Sequence, residues 1–134
     1  MHDTESEARR ADAAAEGGAQ KHAYVRAVFE EIAPRYDLLN HLLSFNVDRW
    51  WRRRALRALD WRHAPEGRYL DLCAGTMDVS AQLSRQRGFG GFIAAADFST
   101  AMLRAGRGKA PTTILAPVCA DAQQLPFATP MSLM

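Results

Sequence analysis

The chain has 134 residues, of which 48% are hydrophobic and 24% charged, and its formal net charge is +2. The length indicates one domain, and the composition is that of an ordinary globular protein. The net charge is too small to indicate nucleic-acid binding by itself. No apolar stretch approaches the ~18 residues of a membrane-spanning helix, and no apolar signal core follows Met1, so we expect a cytoplasmic protein.

Residues 1–22 are predicted to form a mobile N-terminal tail. This segment is rich in Ala, Glu, Asp and Arg and has no large apolar residue after Met1. It therefore buries too little apolar surface to offset the entropy of ordering it. We place the folded part of the chain at residues 23–134.

Three helical patterns follow the tail. The first has apolar residues at i, i+3, i+4 and i+7, namely Val25, Val28, Phe29 and Ile32. We expect this helix to end at Pro34, because proline disfavours helical conformation in the residue before it. A second helical stretch runs over residues 38–43, and a third is expected to begin at Asp48 as its N-cap.

The third helix carries Trp50 and Trp51 beside an arginine run at residues 52–54. We expect the tryptophans to pack on the buried face and the arginines to lie on the solvated one. A nucleic-acid site would rest on the arginine run alone, so no nucleic-acid partner is predicted. A contact with anionic lipid headgroups is the other alternative.

The hydrophobic period then changes to that of strands alternating with helices. Short apolar strands are predicted at residues 68–73, 92–97 and 118–120, with helices at 78–87 and from Ser99 towards Lys109. This alternation predicts an α/β fold with a parallel sheet. Because Cys73 and Cys119 both lie in apolar runs, we expect buried, reduced thiols rather than a disulfide or a metal pair.

Three suggestive positions follow the ends of these strands, where a parallel sheet binds its ligands. The turn at Gly75 and Thr76 opens a helix N-terminus. Asp97 lies about twenty residues further on, the spacing at which a carboxylate reaches a ribose. Asp121, with the N–H of Ala122, has the donor and acceptor that an adenine edge needs. Each position also has a structural alternative: the Gly75 turn can be an ordinary turn, Asp97 a helix-capping residue and Asp121 an exposed acid. The absence of G-x-G-x-x-G disfavours a dinucleotide as the ligand.

Five motifs, in this order, resemble those of the ubiquinone/menaquinone biosynthesis C-methyltransferases. FEEIAPRYDLLN at 29–40 resembles the opening F-x-x-I-A-x-x-Y-D-x-x-N, and residues 41–52 resemble the H-x-L-S and W-R stretch that follows. LDLCAGTMD at 70–78 is similar to LDLxxGTGD. DFSTAML at 97–103 is similar to D-x-S-x-x-M-L, and ADAQQLPF at 120–127 to x-D-A-x-x-L-P-F.

This resemblance implies the N-terminal part of a Rossmann-like, doubly wound domain, preceded by helices, that binds S-adenosyl-L-methionine (SAM). The implied reaction is methyl transfer from SAM to a ring carbon of a lipid-tailed, demethylated polyprenyl quinol, which leaves benzoquinol and naphthoquinol both open. A peripheral contact with the inner membrane is a further expectation. No metal is expected, no catalytic base is assigned, and the oligomeric state is left open.

The resemblance also implies roles for single residues. Gly75 and Thr76 would face the methionine part of SAM, Asp97 the ribose, and Asp121 with Ala122 the adenine. The helices that carry Tyr36, Asp37 and Asn40 would cover the cofactor or shape the acceptor pocket.

Two departures from the family pattern bear on function. Met77 stands where the family usually has glycine or another small residue, and its side chain either crowds the turn or the cofactor, or, being flexible, points away. After Phe127 the pattern is lost and the sequence ends at Met134, so we expect a truncated chain with little methyltransferase activity. A SAM methyltransferase for another small molecule and a non-catalytic SAM-binding remnant are the alternatives.

Overall fold

A computed structural model describes residue 9 and the ranges 18–44, 47–128 and 132–133, with the backbone alone at 37, 39–44 and 132–133. The elements in chain order are helix α1 (Ala19–Ser44), helix α2 (Val47–Leu59), a 3-10 turn (Trp61–His63), strand β1 (Arg68–Leu72), helix α3 (Asp78–Ser84), strand β2 (Phe92–Asp97), helix α4 (Thr100–Ala105), strand β3 (Leu115–Cys119) and strand β4 (Ser132–Leu133). None of the helices in these ranges is long and apolar enough to cross a membrane.

The described strands form one parallel sheet in the order β3-β2-β1-β4. The chain starts at β1, adds β2 and β3 on one side, and returns to pair β4 on the other side of β1. Such a reversal of strand order creates the crevice in which doubly wound proteins bind ligands. The α/β prediction is confirmed, whereas the pairing of β4 was not predicted.

Alternating side chains give the sheet two apolar faces. One face carries the larger core, in which Tyr69, Ile93 and Leu115 pack with residues of α2, α3 and α4. The other face carries Leu70 and the small residues Ala94 and Ala96, against which Leu125 and Phe127 pack, among others. The helices therefore hold β1 and β2 in place, and the candidate functional site lies at the carboxyl ends of these strands.

Helix α1 continues through Pro34, so the prediction that this proline ends the first helix is wrong. Interior proline costs a helix about 3 kcal/mol, which packing can outweigh. Helix α1 packs against α4, the ring of Phe29 meets that of Phe98 edge-on at 5.7 Å, and Ala33 is buried. The helix also begins at Ala19, so the last four residues of the predicted tail are helical.

Helix α2 turns its tryptophans outward, which corrects the prediction that they pack in the core. Trp50 is 54% and Trp51 59% exposed, whereas Leu56 is 5% exposed. At 100° per residue Trp51 lies about 140° around the helix from Leu56, so both cannot face the sheet. Arg52 lies on the same side as Leu56, about 40° around the helix from it, and it is half-buried and pairs with Asp48 and Asp78.

Several boundaries differ from the predicted ones. Strand β3 covers Leu115–Cys119 instead of 118–120, because Pro117 hides the strand pattern although proline is tolerated at a sheet edge. Helix α2 begins at Val47, so Asp48 lies in its first turn rather than at the N-cap. Helix α3 ends at Ser84, three residues before the predicted end.

Candidate functional site

The turn after β1 is held by backbone contacts with the end of β2. The Ala74 N–H donates to the Ala96 carbonyl at 3.0 Å, and the Gly75 N–H donates to Asp97 Oδ2 at 2.8 Å. Gly75 has φ +56°, a left-handed conformation that glycine adopts without a Cβ penalty. The glycine thus lets the turn fold back far enough to meet the Asp97 carboxylate.

The Asp97 carboxylate accepts hydrogen bonds on both oxygens. Besides the bond from Gly75, Oδ1 accepts from the Ser99 N–H at 2.9 Å. Ser99 in turn caps α4, since its Oγ accepts from the Met102 N–H at 3.3 Å, which confirms the predicted cap. Asp97 is 7% exposed, so its carboxylate is fixed in one orientation at the end of β2.

A second carboxylate, that of Asp71, is buried beneath this turn. Asp71 Oδ2 accepts from Ser80 Oγ at 2.5 Å, and Asp71 is 6% exposed. Burial raises the pKa of Asp71, the hydrogen bonds from Ser80 lower it, and the nearby charge of Asp97 raises it further. Asp71 therefore joins β1 to α3, and it is not among the described lining residues of the cavity described next.

A cavity of about 250 Å³ lies between the N-terminal turns of α1 and the carboxyl ends of the strands. From α1 it is lined by Lys21, His22, Val25 and Arg26. From the strand ends it is lined by Leu72, Cys73, Ala96, Asp97, Phe98, Ala120, Asp121 and Ala122. Carboxylates on one side, apolar walls and cationic side chains above give the cavity the mixed character of a small-molecule site.

Three of the five predicted site residues meet in this cavity, namely Asp97, Asp121 and Ala122. Asp121 is exposed and its Oδ1 accepts from the Gln123 N–H at 2.8 Å. Gly75 and Thr76 are not among the described lining residues, although Gly75 is bonded to Asp97. Thr76 is 3% exposed.

The part that α1 plays in the cavity is not predicted from the sequence. Lys21 and His22 fall within the predicted tail, and Arg26 has no predicted role. A signal was present, because His22 and Lys21 precede Val25 by three and four residues and so share its helix face. The backbone of residues 37 and 40 continues α1, and their side chains lie outside the described residues.

Both cysteines are exposed, so the prediction of buried thiols is wrong. Cys73 follows the last residue of β1 with φ +58°, and it lines the cavity. Cys119 ends β3 at an edge of the described sheet, with Sγ 3.7 Å from the Phe98 carbonyl oxygen. The apolar runs around both cysteines belong to strands, but the cysteines lie at the strand ends, where they are exposed to solvent.

Met77 points into the core and not into the cavity. It is 2% exposed and packs in the larger core, and it is absent from the described cavity lining. Its φ of +62° is left-handed, which explains why glycine suits this position. The Met77 side chain thus points away from the cavity and does not crowd it.

The strand order and the cavity at the carboxyl ends of the strands define a doubly wound domain of the kind that binds nucleotides and nucleoside cofactors. The sequence profile of the ubiE/COQ5 methyltransferase family matches residues 18–132. The chain belongs to this family.

Individual relatives agree with the profile. The chain is similar to the ubiquinone/menaquinone biosynthesis C-methyltransferase UbiE of Geobacter sulfurreducens, with 46% identity over 90 residues, 67% of this chain and 34% of the relative. It is also similar to the demethylmenaquinone methyltransferase of Beutenbergia cavernae, with 45% identity over 104 residues, 78% of this chain and 40% of the relative. The alignments thus span between about a third and two fifths of the length of these curated relatives.

Proposed function

We propose that the chain forms the SAM-binding part of a C-methyltransferase that acts on a demethylated quinol. The observation that carries the proposal is the Asp97 carboxylate, fixed by two backbone N–H groups at the edge of a cavity that Asp121 also lines. A carboxylate in that position accepts hydrogen bonds from the vicinal hydroxyls of a ribose.

The residues of the cavity fit the parts of SAM. Asp97 would hold the ribose, and Asp121 with the Ala122 N–H would meet the adenine edge. Apolar neighbours such as Leu72 and Phe98 suit the faces of the adenine ring. Gly75 and Thr76 would lie towards the methionine part. When bound, SAM supplies an electrophilic methyl group, and α1 would limit the access of water to it.

The acceptor is proposed from the relatives, whose names refer to ubiquinone, menaquinone and demethylmenaquinone. The stretch that makes the resemblance specific to quinone biosynthesis, IAPRYDLLNHLLS at residues 32–44, lies in α1 beyond the turns that line the cavity. We therefore place the quinol ring beside α1. A SAM methyltransferase for another small molecule uses the same cofactor site and differs only in the acceptor.

A peripheral membrane contact is a second proposal, and the exposed tryptophans of α2 favour it. Trp50 and Trp51 present large apolar rings to solvent, and Arg54 lies over the Trp50 ring at 5.6 Å. Tryptophan and arginine together are typical of helices that lie at a lipid interface. Such a contact would bring the site close to a lipid-tailed substrate in the cytoplasmic face of a membrane.

The cofactor proposal is tested by calorimetric titration of the 134-residue chain with SAM. We expect Asp97→Ala to weaken SAM binding by at least about tenfold, since a hydrogen bond to a charged group contributes about 1.5–3 kcal/mol. Asp71→Asn is the matched control, because it changes a neighbouring buried carboxylate that does not line the cavity. Equal losses for the two variants, or none for Asp97→Ala, would contradict the ribose assignment.

The acceptor proposal is tested separately, with methyl-labelled SAM and demethylated benzoquinol or naphthoquinol acceptors. Label in the quinol ring supports the proposed reaction and identifies the ring type. A chain that binds SAM and methylates neither quinol would agree with the low activity expected of this chain and leave the cofactor site standing, whereas label in another small molecule and in neither quinol would contradict the quinol proposal.

A further inference from the structure

A second cavity, of about 280 Å³, lies between α2, the 3-10 turn and α3. We name it the arginine groove, after Arg53, Arg57 and Arg62, which line it. Its other polar lining residues are Gln82 and Gln86 of α3. It shares no lining residue with the cavity at the strand ends, so it is separate from the proposed cofactor site.

The arginine groove has a strong excess of positive charge. Its described lining residues include three guanidinium groups and no carboxylate. Neighbouring carboxylates have other partners, since Asp48 pairs with Arg52, Asp78 pairs with Arg52 and Lys109, and Asp60 Oδ2 lies 2.7 Å from His63 Nδ1. Within the described part of the chain, no salt bridge reaches Arg53, Arg57 or Arg62.

The groove is also held in shape by its surroundings. Its apolar lining residues, Leu56 and Trp61, are 5% and 4% exposed. The Arg62 guanidinium lies over the Trp61 ring, 4.9 Å from its centroid, which restricts that side chain. Arg53 and Arg57 are one helical turn apart, so both project from the same face of α2.

We propose that the arginine groove binds a phosphate group. A phosphate carries up to two negative charges and several oxygens, which suits several arginine forks better than a single carboxylate does. The amides of Gln82 and Gln86 add neutral hydrogen-bonding groups beside them, and the volume is close to the ~300 Å³ lower end of small-molecule sites. The inference rests on the groove alone and does not depend on the proposed methyltransferase activity.

Such a phosphate can belong to a free ligand or to the headgroup of an anionic lipid. Trp50 does not distinguish between these two sources. It lies on the exposed face of α2, three residues before Arg53 and four before Arg54. The experiment therefore has two arms. One titrates the full chain with inorganic phosphate and pyrophosphate by calorimetry, and the other measures sedimentation with phosphatidylglycerol-containing and pure phosphatidylcholine vesicles.

The variant for both arms is Arg53→Gln with Arg57→Gln. The matched control is Arg104→Gln with Arg107→Gln, which removes two exposed arginines that lie outside α2 and line neither cavity. We expect the groove variant to lose at least about tenfold in affinity, and the control less than about twofold, because charge-assisted hydrogen bonds are lost in the groove alone. Circular dichroism verifies that both variants keep the helical signal of the parent chain.

Binding of phosphate or pyrophosphate with this preference assigns the groove to a free phosphate ligand. Binding of phosphatidylglycerol vesicles alone, with the same preference, assigns it to a lipid headgroup. Equal losses in the two double variants would reduce the effect to general electrostatic attraction and overturn the proposal. Absence of binding in both arms would overturn it as well.

Discussion

At the scale of single residues, Met77 makes two opposing contributions to the free energy of unfolding. Its backbone is left-handed, with φ +62°, which costs a non-glycine residue about 1–2 kcal/mol. Its side chain is buried in the larger core, where removal of a methionine to alanine costs about 2–5 kcal/mol. The packing contribution is the larger, which is consistent with a methionine at a position that favours glycine.

We predict an unusual order of stability for two variants at this position. Met77→Ala loses the packing and keeps the backbone strain, so the free energy of unfolding should fall by about 2–5 kcal/mol. Met77→Gly loses the packing but relieves the strain, so it should fall by about 1–3 kcal/mol. Urea denaturation measures both. Ala81→Gly, inside α3, is the control in which glycine is the poorer residue, and a Met77→Gly variant less stable than Met77→Ala would contradict the argument.

At the scale of elements, the end of α4 presses directly on the turn after β1. A Cβ added to Gly106 would overlap the carbonyl oxygen of Thr76 and come within 2.9 Å of Met77 Cε. The φ of Gly106 is −84°, which any residue adopts, so the close approach alone requires glycine here. Helix α4 thus determines where the Gly75 turn lies relative to Asp97.

We predict that Gly106→Ala displaces this turn and weakens SAM binding. The overlap should also lower the free energy of unfolding by about 1–3 kcal/mol, the usual cost of overpacking. Thermal unfolding and SAM titration measure the two effects. Gly90→Ala is the matched control, because an added Cβ there meets only the Glu66 side chain, at 3.5 Å. Unchanged SAM affinity in a folded Gly106→Ala chain would show that the turn does not depend on α4.

The elements also show which features a sequence can predict. Strands β1 and β2, the Ser99 cap and the convergence of Asp97 with Asp121 follow from local signals, because short apolar runs and capping residues act within a few positions. The continuation of α1 through Pro34 and the outward tryptophans of α2 depend on contacts with distant elements. Periodicity gives a helix its faces but does not say which neighbour covers each face, so the cavity-lining role of α1 and the arginine groove required the structure.

At the scale of the whole molecule, the sheet buries a carboxylate beneath its ligand site. Asp71 lies on β1, where it is buried, and accepts a hydrogen bond from Ser80 of α3. Burial raises the pKa of Asp71 above the ordinary value of an aspartate. The folded state therefore favours the protonated acid more than the unfolded state does, and folding loses stability when Asp71 ionises.

This linkage predicts the pH dependence of stability. The favourable contribution of neutral Asp71 is fully present below the unfolded pKa and is lost as the pH rises through the raised pKa of the folded state. Asp71→Asn has no such ionisation, so its melting temperature relative to the parent chain should rise from about pH 4 towards pH 7. A part of the melting-temperature difference that stays constant with pH reflects the hydrogen bonds with Ser80. It can be separated from the part that changes with pH. Asp121→Asn, at an exposed carboxylate, is the control. A pH-independent difference for Asp71→Asn would mean that burial leaves the two protonation states of Asp71 equally stable in the fold.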